Sequence, residues 1–385
     1  MNQSNTAGRL YFPGLNGLRF AAAAMVMVSH IEQLKNDEKL SNLNAVTFIG
    51  KSGDYGVSLF FVLSGFLITF LLLQEDKTTG DIHIGKFYTR RILRIWPLYY
   101  LIVLLGFFVL PYCLEASGLE NVLKTAYWPK FLLFLFFLPN LAMVSFPQVP
   151  FTAQAWSIGT EEQFYLLWPF LLKKFKRILP WMLTGIAGGV IIFRKSLFIL
   201  RDHMADGKLK SCISLFTEFL NTFNIECMAI GGLGAWALFH QKRKILDVVF
   251  SPLFQMFLFV GIVFSLSTGL FGHVKFRHVV NSVLFVCLIL NLAGNPSTLL
   301  RLENPFYRFM GRISYGMYMF HPLCFYLVFY AFKDFLYRQS MITADLVIYP
   351  LVFIFTTTIA LLSYELIEKR FLKMKKRYSL IQSGE

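Results

Sequence analysis

Apolar residues gather along this chain in long runs broken by short polar or basic stretches, as in FLLFLFFL at 131–138 and VFIFTTTIALL at 352–362. Runs of this kind suit segments of the roughly 20 residues that a helix needs to cross a bilayer. Backbone groups inside hydrocarbon must be satisfied within the segment, so helices are the economical reading. Set against their flanks, the runs predict ten membrane helices near 15–33, 56–74, 92–112, 161–176, 178–198, 223–240, 251–271, 279–294, 313–332 and 346–367. The stretch 131–147 is hydrophobic too. Counting it as a crossing would place the basic cluster Lys173, Lys174, Lys176 and Arg177 outside, and Pro139-Asn140 interrupts it, so it reads as re-entrant or surface-lying.

With that choice both termini are cytoplasmic. The cytoplasmic segments then collect Lys77, Lys86, Arg90, Arg91, Lys173 to Arg177, Lys242 to Lys244, Arg301, Arg308, Arg312 and a short basic tail from about 369. This bias follows the positive-inside rule. Arg194, Lys195, Arg201, Lys208 and Lys210 run against it, on the outer side. No repeat, low-complexity linker or appended soluble domain is visible, so 1–385 is expected to be one all-α polytopic membrane domain.

Composition narrows the class further. Of the 385 residues, 56% are hydrophobic, 17% aromatic and 15% charged, which excludes an ordinary water-soluble domain. The formal charge of +15 would suggest nucleic acid in a soluble protein, but here the basic residues sit at the ends of apolar segments, as orientation signals do. No nucleic-acid partner is expected. Five cysteines, at 113, 212, 227, 287 and 324, form neither a CxxC nor a Cys/His ligand spacing, so no disulfide framework or metal site is indicated. Arg9 before an apolar stretch resembles a signal peptide, but no small-x-small cleavage site follows Ser29-His30 and the next residues, Ile31 to Lys35, are simply polar. A first helix that stays attached is expected.

Polar residues inside the predicted helices carry the candidate chemistry. In RFAAAAMVMVSH (19–30), eleven steps of about 100° bring His30 within roughly 20° of the Arg19 face, about 16 Å further along the axis. Each could also mark an interface alone, Arg19 reaching cytoplasmic lipid and His30 the outer boundary. Arg91 and Arg94 are three apart, with Arg90 beside them and Lys86 a turn earlier, so their guanidinium groups could converge on one anion, although positive-inside charge alone explains a basic cluster there. Glu161 and Glu162 begin an apolar stretch, where acids favour the helix N-terminus. Glu161, on the face of Tyr165, is the better candidate for a functional carboxylate. Ser314, Tyr318 and His321 recur at spacings of four and three and make a second polar stripe, with Pro322 directly after the histidine. A hydroxyl satisfied on its own helix, or a core histidine, is the plainer alternative there.

Six segments together resemble the acyltransferase-3 family of integral membrane acyltransferases. PGLNGLRF (13–20) with His30 is similar to the family's Arg-x10-His motif, and GVSLFFVLSGFLIT (56–69) to its second-helix signature. FYTRRILRIWPLY (87–99) resembles the Arg-x-x-Arg segment, AWSIGTEEQFYLLWP (155–169) the Trp-Ser-x-x-x-Glu segment, GRISYGMYMFHPL (311–323) the Ser-Tyr-x-x-Tyr-x-x-His segment and SYELIEKRF (363–371) the closing motif. Asn16 stands where an aspartate is common, and Arg370 where a proline often follows Glu-Lys. The resemblance implies acyl transfer, acetyl first, from acyl-CoA to a hydroxyl of a carbohydrate or glycolipid acceptor, without a metal. It further implies that His30 acts as general base or acyl acceptor, that Glu161 orients it or the acceptor, that Arg19 stabilises negative charge, that His321 belongs to the site, and that Arg90, Arg91 and Arg94 hold the phosphates of CoA. The extracytoplasmic hydrolase-like domain of some members is expected to be absent. The location implied is a bacterial inner membrane. A transporter, or a membrane sensor or assembly factor that has lost the chemistry, would share the fold; no pair of Gly/Pro-broken helices in matching halves favours the former.

Overall fold

The computed structural model describes residues 9–110, 125–268, 277–379 and 382–383. The ends expected for two crossings, at 112 and 271, and Cys113 lie outside the described residues. Nearly everything described is helix. In chain order these are α1 (Leu15–Asp37), α2 (Thr47–Gly50), α3 (Ser52–Thr79), α4 (Ile84–Leu104, continued by a π turn at Leu105–Val109), α5 (Tyr127–Leu135), α6 (Pro139–Ser145) and α7 (Ala155–Phe175). There follow α8 (Leu179–Asp202), α9 (Lys208–Thr222), α10 (Ile225–Phe239), α11 (Arg243–Phe250), α12 (Pro252–Thr268) and α13 (Arg277–Gly294). The last are α14 (Pro305–Arg338), α15 (Met341–Ser363, continued by a π turn at Tyr364–Glu368) and α16 (Lys369–Arg377).

Among the described residues, five stretches are long and apolar enough to cross a membrane, namely Ser52–Thr79, Ile84–Val109, Ala155–Asp202, Lys208–Phe239 and Met341–Arg377, and the pair α11 and α12, bent by 69°, makes a sixth if it is one span. The chain is an integral membrane protein. The segment 131–147 divides between α5 and α6, and each is shorter than the roughly 30 Å of hydrocarbon at about 1.5 Å per residue. The long stretch Ala155–Asp202 is folded back on itself at a 3-10 turn, Lys176–Ile178. Trp168 and Leu183 both come within 3.3 Å of the Cβ position at Gly232. A straight helix would hold them about 22 Å apart.

Side-chain contacts fix the direction of each long helix. Gly53 meets Ser29 and Gly56 meets Ala22, so α3 runs against α1, whereas Gly311 meets Asn16 and His321 meets His30, so α14 runs with it. α15 opposes α1 again, with Asp345 on Lys35 and Phe353 on Phe20. α4 opposes α7 through Tyr88–Phe170 and Trp96–Glu162, α8 opposes α10 through Leu183–Gly232 and Arg194–Glu226, and α12 opposes α13 through Gly261–Leu284 and Ser265–Asn281. Ser58 of α3 and Cys227 of α10 both reach His278 at one end, while Phe70 meets Phe239 at the other, so α3 and α10 run together. Arg9–Leu10 pairs in parallel with Gln382–Ser383, which joins the two ends of the described chain on one side of the bundle.

Lipid tails are as apolar as leucine, so membrane helices associate through close packing. The seam between α3 and α10 is the tightest case. A Cβ added at Gly65 would stand 2.0 Å from the Met228 carbonyl oxygen, and one at Gly231 would stand 2.1 Å from that of Val62. Only backbone could move to relieve either clash. Gly231→Ala is therefore expected to lower the thermal midpoint in detergent, with a loss of about 1–3 kcal/mol typical of overpacking. An unchanged midpoint would show that the seam can open freely.

Candidate active site

A histidine pair joins α1 to α14. His30 Nδ1 lies 2.7 Å from His321 Nε2, and the two rings are stacked at 5.0 Å with 23° between their planes. Which nitrogen carries a proton follows from the residue after His321. Pro322 lies inside α14 and has no N–H to give to the carbonyl one turn back, that of Tyr318. His321 Nδ1 occupies that carbonyl at 2.7 Å. A carbonyl only accepts, so Nδ1 carries the proton, and the neutral His321 ring presents a lone pair at Nε2. His30 Nδ1–H donates to it. His30 Nε2 is then left with the free lone pair, on a side chain that is half-buried whereas His321 is buried.

Around Tyr318 the hydroxyls are paired. Its hydroxyl lies 2.7 Å from Ser157 Oγ and donates to the Gln154 carbonyl at 3.0 Å. Gln154 Nε2 donates to the carbonyls of Phe151 and Met319, which ties the segment before α7 to α14. Ser314 donates to the Gly311 carbonyl, so its hydroxyl is satisfied on its own helix.

Glu161 is not a partner of His30. Its carboxylate accepts from Ser64 Oγ at 2.8 Å and Tyr165 Oη at 2.8 Å, so Ser64 bonds a carboxylate in addition to lying beside the packed Gly65. Nor do the two glutamates begin a helix. α7 starts at Ala155, which places both beyond its first turn, and Glu162 accepts instead from the indole of Trp96 at 3.2 Å. The apolar run misplaced the helix start because TrpSerIleGly continues the helix without looking apolar.

The arginines divide. Arg94 lines a small, partly open cavity together with Arg19, Arg312, Asn16, Tyr315 and Glu368. Arg19 Nη1 donates to Asn16 Oδ1 at 3.0 Å. Arg90 and Arg91 line a second small cavity with Glu75, Phe87 and Lys375. There Arg90 is bound to Glu75 at 2.7 Å and to the Tyr378 carbonyl at 3.1 Å, and the Arg91 guanidinium sits 5.8 Å from the rings of both Phe87 and Tyr165. The expected convergence of Arg90, Arg91 and Arg94 on one anion is thus not what the fold makes. Positions three and four apart share a helix face, but Glu75 captures Arg90 across the α3–α4 connection. Arg312 was missed from the sequence, where it reads as orientation charge; arginine beside Gly311 within a polar-striped helix was the available signal.

Restoring an N–H at position 322 would put a backbone donor in competition with His321 for the Tyr318 carbonyl. Pro322→Ala is expected to leave α14 intact and to shift His321 toward the other tautomer, read from the ring ¹⁵N shifts of histidine-labelled protein in detergent. An unchanged shift would show that the Tyr318 carbonyl does not select the tautomer.

Comparison with known proteins places this site in a family. The sequence pattern of the acyltransferase domain of acyltransferase-3 matches residues 12–365. The O-acetyltransferase OatA of Staphylococcus aureus (strain NCTC 8325 / PS 47) is 27% identical over 384 residues, covering 93% of this chain and 57% of the relative. A protein of Staphylococcus aureus (strain COL), provisionally named an O-acetyltransferase, is 27% identical over 338 residues, covering 81% of this chain and 50% of the relative. The chain therefore spans about half the length of the relatives it matches. No solved structure matches it. With the family pattern spanning most of the sequence and Arg19, Arg94, Arg312 and the histidine pair lying inside the match, this chain belongs to the acyltransferase-3 family.

Proposed function

We propose that this protein is a membrane O-acyltransferase that moves an acyl group, acetyl first, from cytoplasmic acyl-CoA to a hydroxyl of a carbohydrate or glycolipid acceptor. The observation that carries this reading is the fixed proton arrangement of the His30–His321 pair, which leaves a single basic nitrogen, His30 Nε2, on a half-buried side chain. Imidazole suits the task because its ordinary pKa lies near neutrality. In the proposed step His30 Nε2 takes the hydroxyl proton as the oxygen–acyl bond forms and the thioester C–S bond breaks, and then returns that proton to the thiolate. His321 steadies the positive charge that His30 gains. The names of the relatives agree with this chemistry.

The donor's phosphates fit the arginine cavity. Arg19, Arg94 and Arg312 offer planar, permanently charged forks matched to phosphate oxygens, and Tyr315 and Asn16 add neutral hydrogen-bonding groups. The adjoining cavity, with Arg90, Arg91 and Lys375, is the place for the donor's remaining phosphate charge. On the same reading the chain crosses a bacterial cytoplasmic membrane ten times, as α1, α3, α4, α7, α8, α10, α12, α13, α14 and α15. The alternating directions of these helices support that count, and Lys77, Lys173, Lys176 and Lys242 at the Arg19 end support a cytoplasmic face there. Glu161, held by Ser64 and Tyr165, is assigned to the electrostatics of the inner half of the path beside Arg91, within whose Coulombic reach it lies.

Purified protein in nanodiscs, given labelled acetyl-CoA and a panel of glycosides, should release free CoA and label a glycoside. His30→Ala should accumulate normally and lose that activity, and wild-type turnover at equal protein level would remove His30 from the mechanism. Arg312→Met should raise the apparent KM for acetyl-CoA about tenfold or more, since a charge-assisted hydrogen bond is worth roughly 1.5–3 kcal/mol. Unchanged donor kinetics in that variant would move the donor site away from the arginine cavity.

A further inference from the structure

Beyond His30 the first helix carries a second charged cluster that the reaction does not use. Lys35 and Glu32 are fully buried, with Lys35 Nζ 2.6 Å from Glu32 Oε1 and 2.5 Å from Asp345 Oδ1 of α15. Tyr349 of α15 donates its hydroxyl to Glu32 Oε1 at 2.8 Å. The other Glu32 oxygen accepts the backbone N–H of Leu43, and the Lys35 carbonyl accepts that of Leu40 at 2.8 Å. The cluster joins α1, the connection after it and α15.

A buried ion pair is a poor way to add stability, since apolar residues of the same volume commonly do as well. What charges add is position. An apolar stripe can slide by a turn and still find apolar partners, but Lys35 meets two carboxylates at only one register. Glu32 lies about 200° around α1 from His30, so the cluster grips the helix from the side opposite the histidine partner. The other end of α1 is held by backbone contact, with Cβ positions at Gly17 and Gly311 2.5 Å from Leu302 Cβ and 2.2 Å from the Asn16 carbonyl oxygen. His30 stands between these two anchors, two residues before Glu32 and five before Lys35. Its 2.7 Å bond to His321 leaves no room for a shift of one residue, about 1.5 Å along the axis.

We propose that Glu32, Lys35 and Asp345 are positioning residues that set the axial and rotational register of α1, and through it the alignment of His30 on His321. The inference rests on His30 serving as the base of the reaction proposed above.

The test compares wild type, Lys35→Arg, the charge-free triple variant Glu32→Gln/Lys35→Met/Asp345→Asn, and His30→Ala, each purified and assayed for CoA release from acetyl-CoA with glycoside acceptors. The triple variant should still fold, by thermal midpoint, and keep its KM for acetyl-CoA within about twofold while kcat falls about tenfold or more; Lys35→Arg, which keeps the cation, should recover most of kcat. An activity-independent readout comes from Ser29→Cys with Gly53→Cys, because a Cβ at Gly53 stands 3.1 Å from that of Ser29 and a disulfide there reports the α1–α3 register. That disulfide should form more slowly in the triple background. A folded triple variant with wild-type kcat, beside an inactive His30→Ala, would overturn the lock and leave the reaction standing. A loss of kcat with unchanged cross-linking would overturn it too, because the residues would then act by some route other than register. Wild-type turnover in His30→Ala would remove the base and the lock together. Should the triple variant fail to fold, the single change Asp345→Asn carries the same comparison, with unchanged kcat and cross-linking again overturning the lock.

Discussion

A carbonyl left without a donor in a membrane bundle is costly, because no water is at hand to satisfy it. Pro322 creates such a carbonyl at Tyr318, and His321 fills it. That one bond settles the rest of the pair. It puts the proton of His321 on Nδ1, makes Nε2 the acceptor for His30, and so leaves His30 with its lone pair on the far nitrogen. A histidine followed by a proline in a helix is usually read as a kink. Here the missing N–H is the useful part, since it converts a backbone defect into a choice of tautomer. The Ser157, Tyr318 and Gln154 bonds then hold that turn of α14 against the start of α7.

The arrangement places unusual demands on α1. It presents Arg19 to an arginine-lined cavity at one end, His30 to α14 further along and a charged cluster to α15 beyond that. These charges keep it from counting among the helices apolar enough to span by composition alone, yet Lys35 and Glu32 are more deeply buried than most of its apolar residues. The neighbours come close because they offer small surfaces. Gly53 and Gly56 bring α3 against Ser29 and Ala22, and Gly311 brings α14 onto the Asn16 backbone. Close backbone approach and paired charge are thus two halves of one solution, with the glycines setting distance and the charges setting register.

Much of this was legible in the chain and some could not be. Long apolar runs located the helices because burial in lipid demands them, and an eleven-residue spacing located Arg19 and His30 on one face because helix geometry is rigid. The His321 stripe was visible for the same reason. What failed was everything decided by a partner distant in sequence. Glu32 and Lys35 read as the polar end of a helix, but α1 continues to Asp37 and both are buried against Asp345, some three hundred positions later. Glu161 looked suited to orient His30 or the acceptor; Ser64 and Tyr165 hold it, and the partner of His30 is His321. Spacing within a helix fixes faces; it says nothing of what the facing helix carries.

The arginines show how far that limit reaches. Arg91 and Arg94 do lie one turn apart, as their spacing requires, but each turns to a different cavity because different neighbours wait on either side. Glu75 neutralises Arg90 from α3, whereas Arg94 meets Arg19 from α1 and Arg312 from α14. Three guanidinium groups around one cavity repel one another unless an anion joins them, and the fold supplies one. Glu368, on the π turn that ends α15, lines the same cavity and is nine-tenths buried, with Ser363 Oγ donating to it at 3.2 Å. Its carboxylate lowers the formal charge of that lining from +3 to +2, which eases the repulsion among the helices that carry the arginines. Under the proposed donor site, an incoming phosphate would compete with that carboxylate for the arginines, so the group that eases the repulsion would also limit how tightly the cavity holds the donor.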